Sequence, residues 1–211
     1  MIKELNKLKY VSIDIETTGI DRQKDDVIEI TAKIDDLSNI KPVNELPRFH
    51  CYVVKERYSG CAWAFAEHQR IFDAIRNNHP DCIDEENVAH ALYNFICDNK
   101  GYIGYMEKDL YDNTCDIIVL PAGKNFASFD LHFLYRLPFF VGKIGFPTRA
   151  IDVGNMYLRP TDIKPPSLTD CAKRMNLNMV VNHTSDNEVD MVIHLVRNFL
   201  IKTDPYDTDT Y

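Results

Sequence analysis

The sequence predicts an α/β fold: an antiparallel meander of three strands, then alternating helices and strands, and a closing helix. Two observations support this prediction. Three strand-like segments follow one another between residues 10 and 54, and the later segments alternate between helical apolar spacing and short apolar runs. A chain of 211 residues with 45% hydrophobic residues is also long enough to bury a large core.

The three strands of the meander come first in the chain. Residues 10–16 form an apolar segment that becomes polar at its end and stops at a Thr-Thr-Gly turn. Residues 26–34 alternate between polar and apolar side chains, and residues 49–54 form the third strand after a loop over 41–47. The connections between these strands are short, which favours antiparallel pairing.

The remaining elements follow from changes in the spacing of apolar residues. The spacing predicts helices over 62–77, 85–98 and 128–136 and two final helices over 168–175 and 187–201. It predicts strands over 116–120 and 151–153. We expect one domain over residues 1–203 and an acidic tail over 204–211.

The charge distribution limits the possible partners. With 24 basic and 32 acidic residues the formal net charge is −8, which argues against a protein that coats nucleic acid by bulk attraction. An enzyme that takes one strand end into a metal site remains compatible with this charge. Residues 131–174 contain seven basic and three acidic side chains, which form either an ordinary solvated surface or a face that follows phosphates.

The sequence contains no signal for a membrane or for secretion. Its apolar runs are shorter than the ~20 residues that a membrane helix needs, and its first residues lack the apolar core of a signal peptide, so a cytoplasmic location is expected. The six cysteines form no CxxC pair and are expected to be free thiols. A zinc site built from the His and Cys residues between positions 50 and 82 lacks regular ligand spacing.

Acidic residues mark a candidate site at the end of the first strand. Asp14 and Glu16 are two positions apart, so both side chains point to one face of the strand. Two neighbouring carboxylates repel each other, and a divalent cation between them would keep both ionised. Asp130 lies at a loop-to-helix junction, and His183 precedes the closing helix. Taken alone, each of these features is typical of ordinary surface or helix-capping residues.

Together these segments resemble the DEDDh family of 3′→5′ exonucleases, which includes polymerase III proofreading subunits, ribonuclease T and oligoribonuclease. Residues 12–19 (SIDIETTG) resemble the first family motif, and residues 125–134 (NFASFDLHFL) are similar to the second. Asp152 and residues 167–175 are similar to the segment that leads into the third motif, where His183 falls. The resemblance extends over residues 8–200, with a third motif that departs from the family pattern.

The resemblance implies a ribonuclease-H-like fold, with a mixed five-stranded sheet flanked by helices. The long span between the first and second motifs also implies an insertion near residues 36–64 or 100–115. A short chain of this kind would suit a phage or bacterial enzyme. The implied activity is hydrolysis of phosphodiester bonds at the 3′ end of DNA or RNA, with release of nucleoside 5′-monophosphates. The alternative is a catalytically weak subunit that binds 3′ ends or a protein partner.

The resemblance also assigns roles to individual residues. Two Mg²⁺ or Mn²⁺ ions would be held by Asp14, Glu16, Asp130 and a fourth carboxylate, with Glu16 also counted as catalytic. His183 would be the general base. The implied partner is a single-stranded nucleic acid with a free 3′ end. Its terminal nucleotide would be positioned by residues of the first and second motifs, namely Thr17, Thr18, Gly19, Ile20, Asn125 and Phe129.

The fourth carboxylate is an aspartate in the family, and the corresponding position here is Glu188. Asp186 and Asp190 lie two residues on either side and are alternatives if the register slips. The phase of the closing helix favours Glu188, because Val192 and Leu195 follow it at the four- and seven-residue spacing of a core-facing helix. Asp186 then remains as an acid of the first helical turn, where the helix dipole favours a negative charge.

Overall fold

The computed structural model describes residues 8–102, 115–147, 149–177 and 184–202. In these ranges the strands are β1 (Lys9–Thr17), β2 (Val27–Asp36), β3 (Arg48–Val54), β4 (Cys82–Asp84), β5 (Ile117–Ile118), β6 (Pro121–Gly123), β7 (Ile144–Gly145) and β8 (Ile151–Asp152). The α-helices are α1 (Ala62–Glu67), α2 (Gln69–Arg76), α3 (Glu85–Asp98), α4 (Asp130–Leu134), α5 (Val153–Met156), α6 (Leu168–Arg174) and α7 (Ser185–Lys202).

The central sheet confirms the predicted fold class. It has six strands in the order β4-β3-β2-β1-β6-β8, one more than the five expected. The β1–β2 and β2–β3 pairs are antiparallel, as the meander predicts, whereas β6 and β8 continue the sheet in parallel. The additional strand is β4, which pairs in parallel with the free edge of β3. Strands β5 and β7 form a separate two-stranded sheet.

The two faces of the sheet are covered by different helices. Val11, Ile13 and Ile15 of β1 pack with residues of α3 and α4 in one buried cluster. Tyr10 packs on the opposite face in a second cluster, which includes the apolar side of α7. Because neighbouring side chains of a strand point to opposite faces, the even-numbered residues of β1 face α7. This alternation determines where the two carboxylates of β1 project.

Three local predictions differ from the structure. The helix expected over 62–77 is divided into α1 and α2, which meet at His68, where the backbone leaves helical geometry (φ −94°, ψ 26°). Apolar spacing does not reveal this break because each helix continues to bury an inward residue, Ala64 in α1 and Ile71 in α2. The helix expected over 128–136 is a 3₁₀ turn over Phe126–Ser128 followed by α4.

The strand expected over 116–120 is also displaced. Ile117 and Ile118 pair with β7, and the strand that joins the central sheet beside β1 is β6, which begins at Pro121. A proline is tolerated at the first position of a strand because it has no N–H to donate there. The carbonyl of Leu120, just before it, accepts a hydrogen bond of 2.9 Å from the N–H of Val11.

Several expectations concern residues outside the described ranges. His183, most of the possible insertion over 100–115 and the tail over 204–211 lie there. The other possible insertion region, 36–64, is described and contains a 3₁₀ turn over Val43–Glu45, strand β3 and the start of α1. Within the described part of the chain, every helix is too short or too polar to cross a membrane.

Candidate active site

The carboxylates of Asp14 and Glu16 project from β1 toward helix α7. Ser12, two residues before Asp14 on the same face, donates a hydrogen bond from its hydroxyl to the carbonyl of Val189 in α7 at 3.1 Å. Asp14 and Glu16 are both only partly exposed. The site is therefore formed where the end of the central strand meets the first turns of the closing helix.

Asp130 reaches the same place from the other side of β1. The backbone N–H groups of Asp130 itself and of Ile15, between the two acids of β1, act on its carboxylate and favour its charged form. The chain turns back toward β1 through Asn125, which adopts a left-handed conformation (φ 63°) that Asn tolerates better than most residues. Asp130 then begins helix α4 and is only 4% exposed. This position confirms the predicted loop-to-helix junction.

Helix α7 presents Glu188 to the cluster and turns the two neighbouring acids away from it. Asp186 accepts hydrogen bonds from both Nε and Nη2 of Arg48. Asp190 accepts a hydrogen bond of 2.5 Å from Nζ of Lys33. The negative charge of Glu188, by contrast, raises the pKa values of the three other carboxylates of the cluster.

The electrostatics of the four carboxylates show how closely they are grouped. Burial, together with the charges of Glu29 and Glu188, raises the pKa of Glu16 to about 8. Burial also raises the pKa of Asp130 to about 8, since it outweighs the opposing effect of the backbone N–H groups of Asp130 and Ile15. The pKa of Asp14 lies well above its ordinary value because of burial and the charges of Asp130 and Glu188. A cation at this place would relieve the repulsion.

The donor set fits a hard divalent cation such as Mg²⁺ or Mn²⁺, which prefers carboxylate oxygens. Among the described residues, no three acidic, His or Cys side chains are arranged closely enough to hold an ion as they stand. The carboxylates of Asp14, Glu16, Asp130 and Glu188 would therefore have to rotate toward a bound cation. Each carboxylate offers two oxygens that can coordinate a cation.

A fifth acid, Glu29 of β2, lies beside the cluster, but its negative charge is compensated by neighbouring hydrogen-bond donors. Arg70 of α2 donates to both of its oxygens at 2.7 Å, His50 Nε2 lies 3.1 Å from Oε1, and the hydroxyl of Ser185 donates to Oε2 at 2.9 Å. Burial opposes ionisation of Glu29, which is 1% exposed, but the hydrogen bonds from His50 and Arg70 outweigh it and lower the pKa to about 2. Glu29 therefore remains ionised without a metal.

Sequence reasoning missed both Glu29 and His68. The Nε2 atom of His68 lies 3.7 Å from Oε2 of Glu16, at the junction of α1 and α2. Glu29 could have been noticed as a charged residue within a strand whose neighbours are apolar, but its partner Arg70 is 41 residues away in the sequence. His68 carries no local signal, because its position depends on the break between the two helices.

The residues expected to position the terminal nucleotide divide into two groups. The side chains of Thr17 and Thr18 are buried and bonded internally: Thr17 donates to the carbonyl of Gly19 at 2.6 Å, and Thr18 donates to the carbonyl of Ser59. Ile20, by contrast, is 85% exposed beside them.

The predicted residues of the second motif also differ from each other. Asn125 is exposed, whereas the ring of Phe129 packs against Phe133 with ring centroids 5.0 Å apart. Asn125 and Ile20 are thus the side chains of the predicted set that remain available to a ligand, whereas the backbone of Thr17 and Thr18 is held rigidly in place.

Comparisons with known proteins identify the fold. No protein-family model matches the sequence, and no curated protein matches it as a relative. Exonuclease I from Methylocaldum szegediense has a similar structure, with 15% identity, a TM-score of 0.57, and coverage of 94% of this chain and 41% of that one. Exonuclease I of E. coli in complex with a dT13 oligonucleotide is 16% identical with a TM-score of 0.55, over 93% of this chain and 41% of that one.

A third similar structure is the zinc-bound form of the E. coli exonuclease I complex with single-stranded DNA. It is 17% identical with a TM-score of 0.57, over 95% of this chain and 42% of that one. At these identities the likeness establishes a shared exonuclease-like α/β fold. The chain spans well under half the length of these exonucleases.

Proposed function

We propose that this protein is a divalent-metal-dependent 3′→5′ exonuclease that removes nucleoside 5′-monophosphates from the end of a single strand. The observation that carries the proposal is the grouping of Asp14, Glu16, Asp130 and Glu188 at the end of the central strand, where burial and the neighbouring negative charges raise the pKa values of the first three. A fold shared with exonuclease I supports the same function. The sequence motifs of the DEDDh family fall on three of these four acids.

The proposed chemistry assigns separate tasks to the cluster and to the histidine. Two Mg²⁺ or Mn²⁺ ions, when bound, would supply an activated water and stabilise the departing 3′ oxygen. The four carboxylates would hold these ions. His183 would accept the proton of the attacking water, because a histidine pKa lies near the operating pH. Arg70 keeps Glu29 engaged, so that this fifth acid does not compete for a cation.

The proposed role of His183 leads to a kinetic prediction. The substitution His183→Ala should lower kcat by roughly 10²–10⁴-fold, the usual contribution of a general base, with a smaller effect on KM. The wild-type rate should rise with pH along a limb that the variant lacks. Measuring kcat from pH 5.5 to 9 tests this, and identical pH profiles for the two proteins would remove His183 from the role.

The function itself is tested by incubating the protein with single-stranded DNA and RNA. A strand labelled at its 5′ end should shorten into a ladder, and one labelled at its 3′-terminal nucleotide should release labelled mononucleotide at once. Both products should require Mg²⁺ or Mn²⁺ and disappear in excess chelator. Full activity in chelator would contradict the metal-dependent mechanism, and shortening from the 5′ end would contradict the direction.

The alternative, a catalytically weak protein that binds 3′ ends or a protein partner, would depend on the glutamate at the fourth ligand position. A glutamate side chain is one methylene longer than the aspartate of the family, which displaces the carboxylate. The alternative predicts tight binding of a labelled strand without shortening in Mg²⁺ or Mn²⁺. Titration of fluorescence anisotropy beside the cleavage assay distinguishes the two functions.

A further inference from the structure

A cavity of about 870 Å³ opens beside the carboxylate cluster. Asn125 and Glu188 line it on the side of the cluster, and the segment 161–170 forms much of the remaining wall. This volume lies within the ~300–1,000 Å³ that is usual for ligand pockets. The cavity is therefore large enough to receive part of a substrate whose reacting group lies at the four carboxylates.

The cavity and the loop expected to hold the terminal nucleotide lie on opposite sides of β1. That loop is fixed on the side of β2 and α1: the N–H of Thr18 donates to the carbonyl of Asp26, and the N–H of Cys61 donates to the carbonyl of Thr18, both at 2.9 Å. The cavity begins at Lys124 and Asn125, which follow β6 on the other side of β1. The carboxylate cluster, at the end of β1, lies between the two.

Two lysines give the cavity a chemistry that suits phosphate. Lys124 and Lys164 both line it, and none of the described residues forms an ion pair with either ammonium group. Among the described residues, the hydrogen-bond acceptor of Nζ of Lys124 is the amide oxygen of its neighbour Asn125, at 2.6 Å. The side chain of Lys164 is exposed. Each lysine is thus available to an anionic ligand.

Besides Glu188 of the cluster, the cavity wall contains two acids, Asp162 and Asp170, and both have internal partners. Arg174 donates to both oxygens of Asp162, at 2.6 and 2.8 Å. Asp170 accepts a hydrogen bond of 2.6 Å from the hydroxyl of Ser167. Ile163, which is fully exposed, adds an apolar surface to the same wall. A sugar–phosphate backbone with an unpaired base matches this combination of free ammonium groups and apolar surface.

We propose that this cavity holds the nucleotides on the 5′ side of the scissile phosphate, with Lys124 and Lys164 against the backbone phosphates. The inference rests on the proposed function and specifies the path of the strand. With the terminal nucleotide at Thr17–Ile20 and the scissile phosphate at the carboxylates, the remaining strand leaves on the side of β6. Contacts to phosphates do not depend on base sequence, so the cavity would accept any sequence.

The test compares three variants: Lys124→Ala combined with Lys164→Ala, Lys164→Ala alone, and Lys173→Ala as a matched control. Lys173 is an exposed lysine of α6 in the same basic segment, but it is not part of the cavity wall. KM and kcat are measured with 5′-labelled single strands of two to ten nucleotides over a series of salt concentrations. Circular dichroism and thermal unfolding establish that all variants are folded.

The double variant should show a severalfold higher KM for the longer strands and a nearly unchanged kcat. The slope of log KM against log salt should become shallower by about 0.7 for each lost phosphate contact to a single strand. We expect the affinity of the wild type to increase with strand length, and this increase should be smaller in the double variant. The Lys173→Ala variant should behave as the wild type does.

Two results would overturn the inference and leave the proposed function intact. One is an unchanged KM and salt slope in the double variant of an active enzyme. The other is an equal effect of Lys173→Ala on KM and on the salt slope. That result would mean that both depend on the general positive charge of the surface and not on the cavity. If the wild-type protein neither binds nor shortens any strand, the proposed function fails, and the path of the strand fails with it.

Discussion

The substitutions Asp14→Asn and Asp130→Asn should each abolish turnover while the protein remains folded. Each removes one carboxylate from the cluster that we propose to hold two cations, whereas the amide keeps the shape of the side chain. Steady-state kcat in saturating Mg²⁺ and thermal unfolding are the measurements. Asp98→Asn, at an exposed position at the end of α3, is the matched control and should keep wild-type activity.

Removal of the Asp130 carboxylate should raise the stability of the metal-free protein at high pH, although it abolishes activity. The pKa of Asp130 is raised to about 8 by burial, so its contribution to the unfolding free energy of the metal-free protein is full below the unfolded pKa of ~4 and lost as the pH rises through about 8. In chelator, Asp130→Asn should therefore raise the melting temperature above pH 8, and this advantage should disappear toward pH 4.

For activity, an Asp14→Asn or Asp130→Asn variant that retained more than about a tenth of the wild-type rate, a loss under ~1.4 kcal/mol, would contradict the ligand assignment.

The substitution Glu188→Gln should be severely impaired, whereas Asp186→Asn should remain active. Glu188 acts electrostatically on the other three carboxylates, whereas Asp186 is bonded to Arg48 on another side of the helix. Glu188→Asp should stay partly active because the carboxylate is kept. Measuring kcat at saturating Mg²⁺ for the three variants tests this assignment.

The neighbouring acid Asp190, which is bonded to Lys33, supplies a second matched control. Asp190→Asn should lower stability through the loss of that partly buried contact and leave kcat nearly unchanged. The reverse pattern, with an inactive Asp186→Asn and a healthy Glu188→Gln, would move the fourth ligand to Asp186. It would also require a shift in the register of α7.

Local periodicity predicted much of the fold and of the site. The two-residue period of a strand placed Asp14 and Glu16 on one face, and the structure turns that face toward α7. The 3.6-residue period of a helix favoured Glu188 over its neighbours through Val192 and Leu195, which are 2% and 0% exposed. Such placements can be read from the sequence because one repeating backbone geometry controls where each side chain points.

The tertiary structure decided what depends on pairs of residues far apart in the sequence. Pro121–Gly123 pairs with β1, although the segment before it is more apolar. Strand pairing depends on the packing of the whole sheet and not on the local sequence alone. Glu29 is withheld from the cluster by Arg70, His50 and Ser185, which come from three other elements. The cavity beside Glu188 exists only because the segment 161–170 packs across from β6. The sequence alone determined the periodic elements and the acids they carry, whereas long-range packing determined their charge states, their partners and the space left for a ligand.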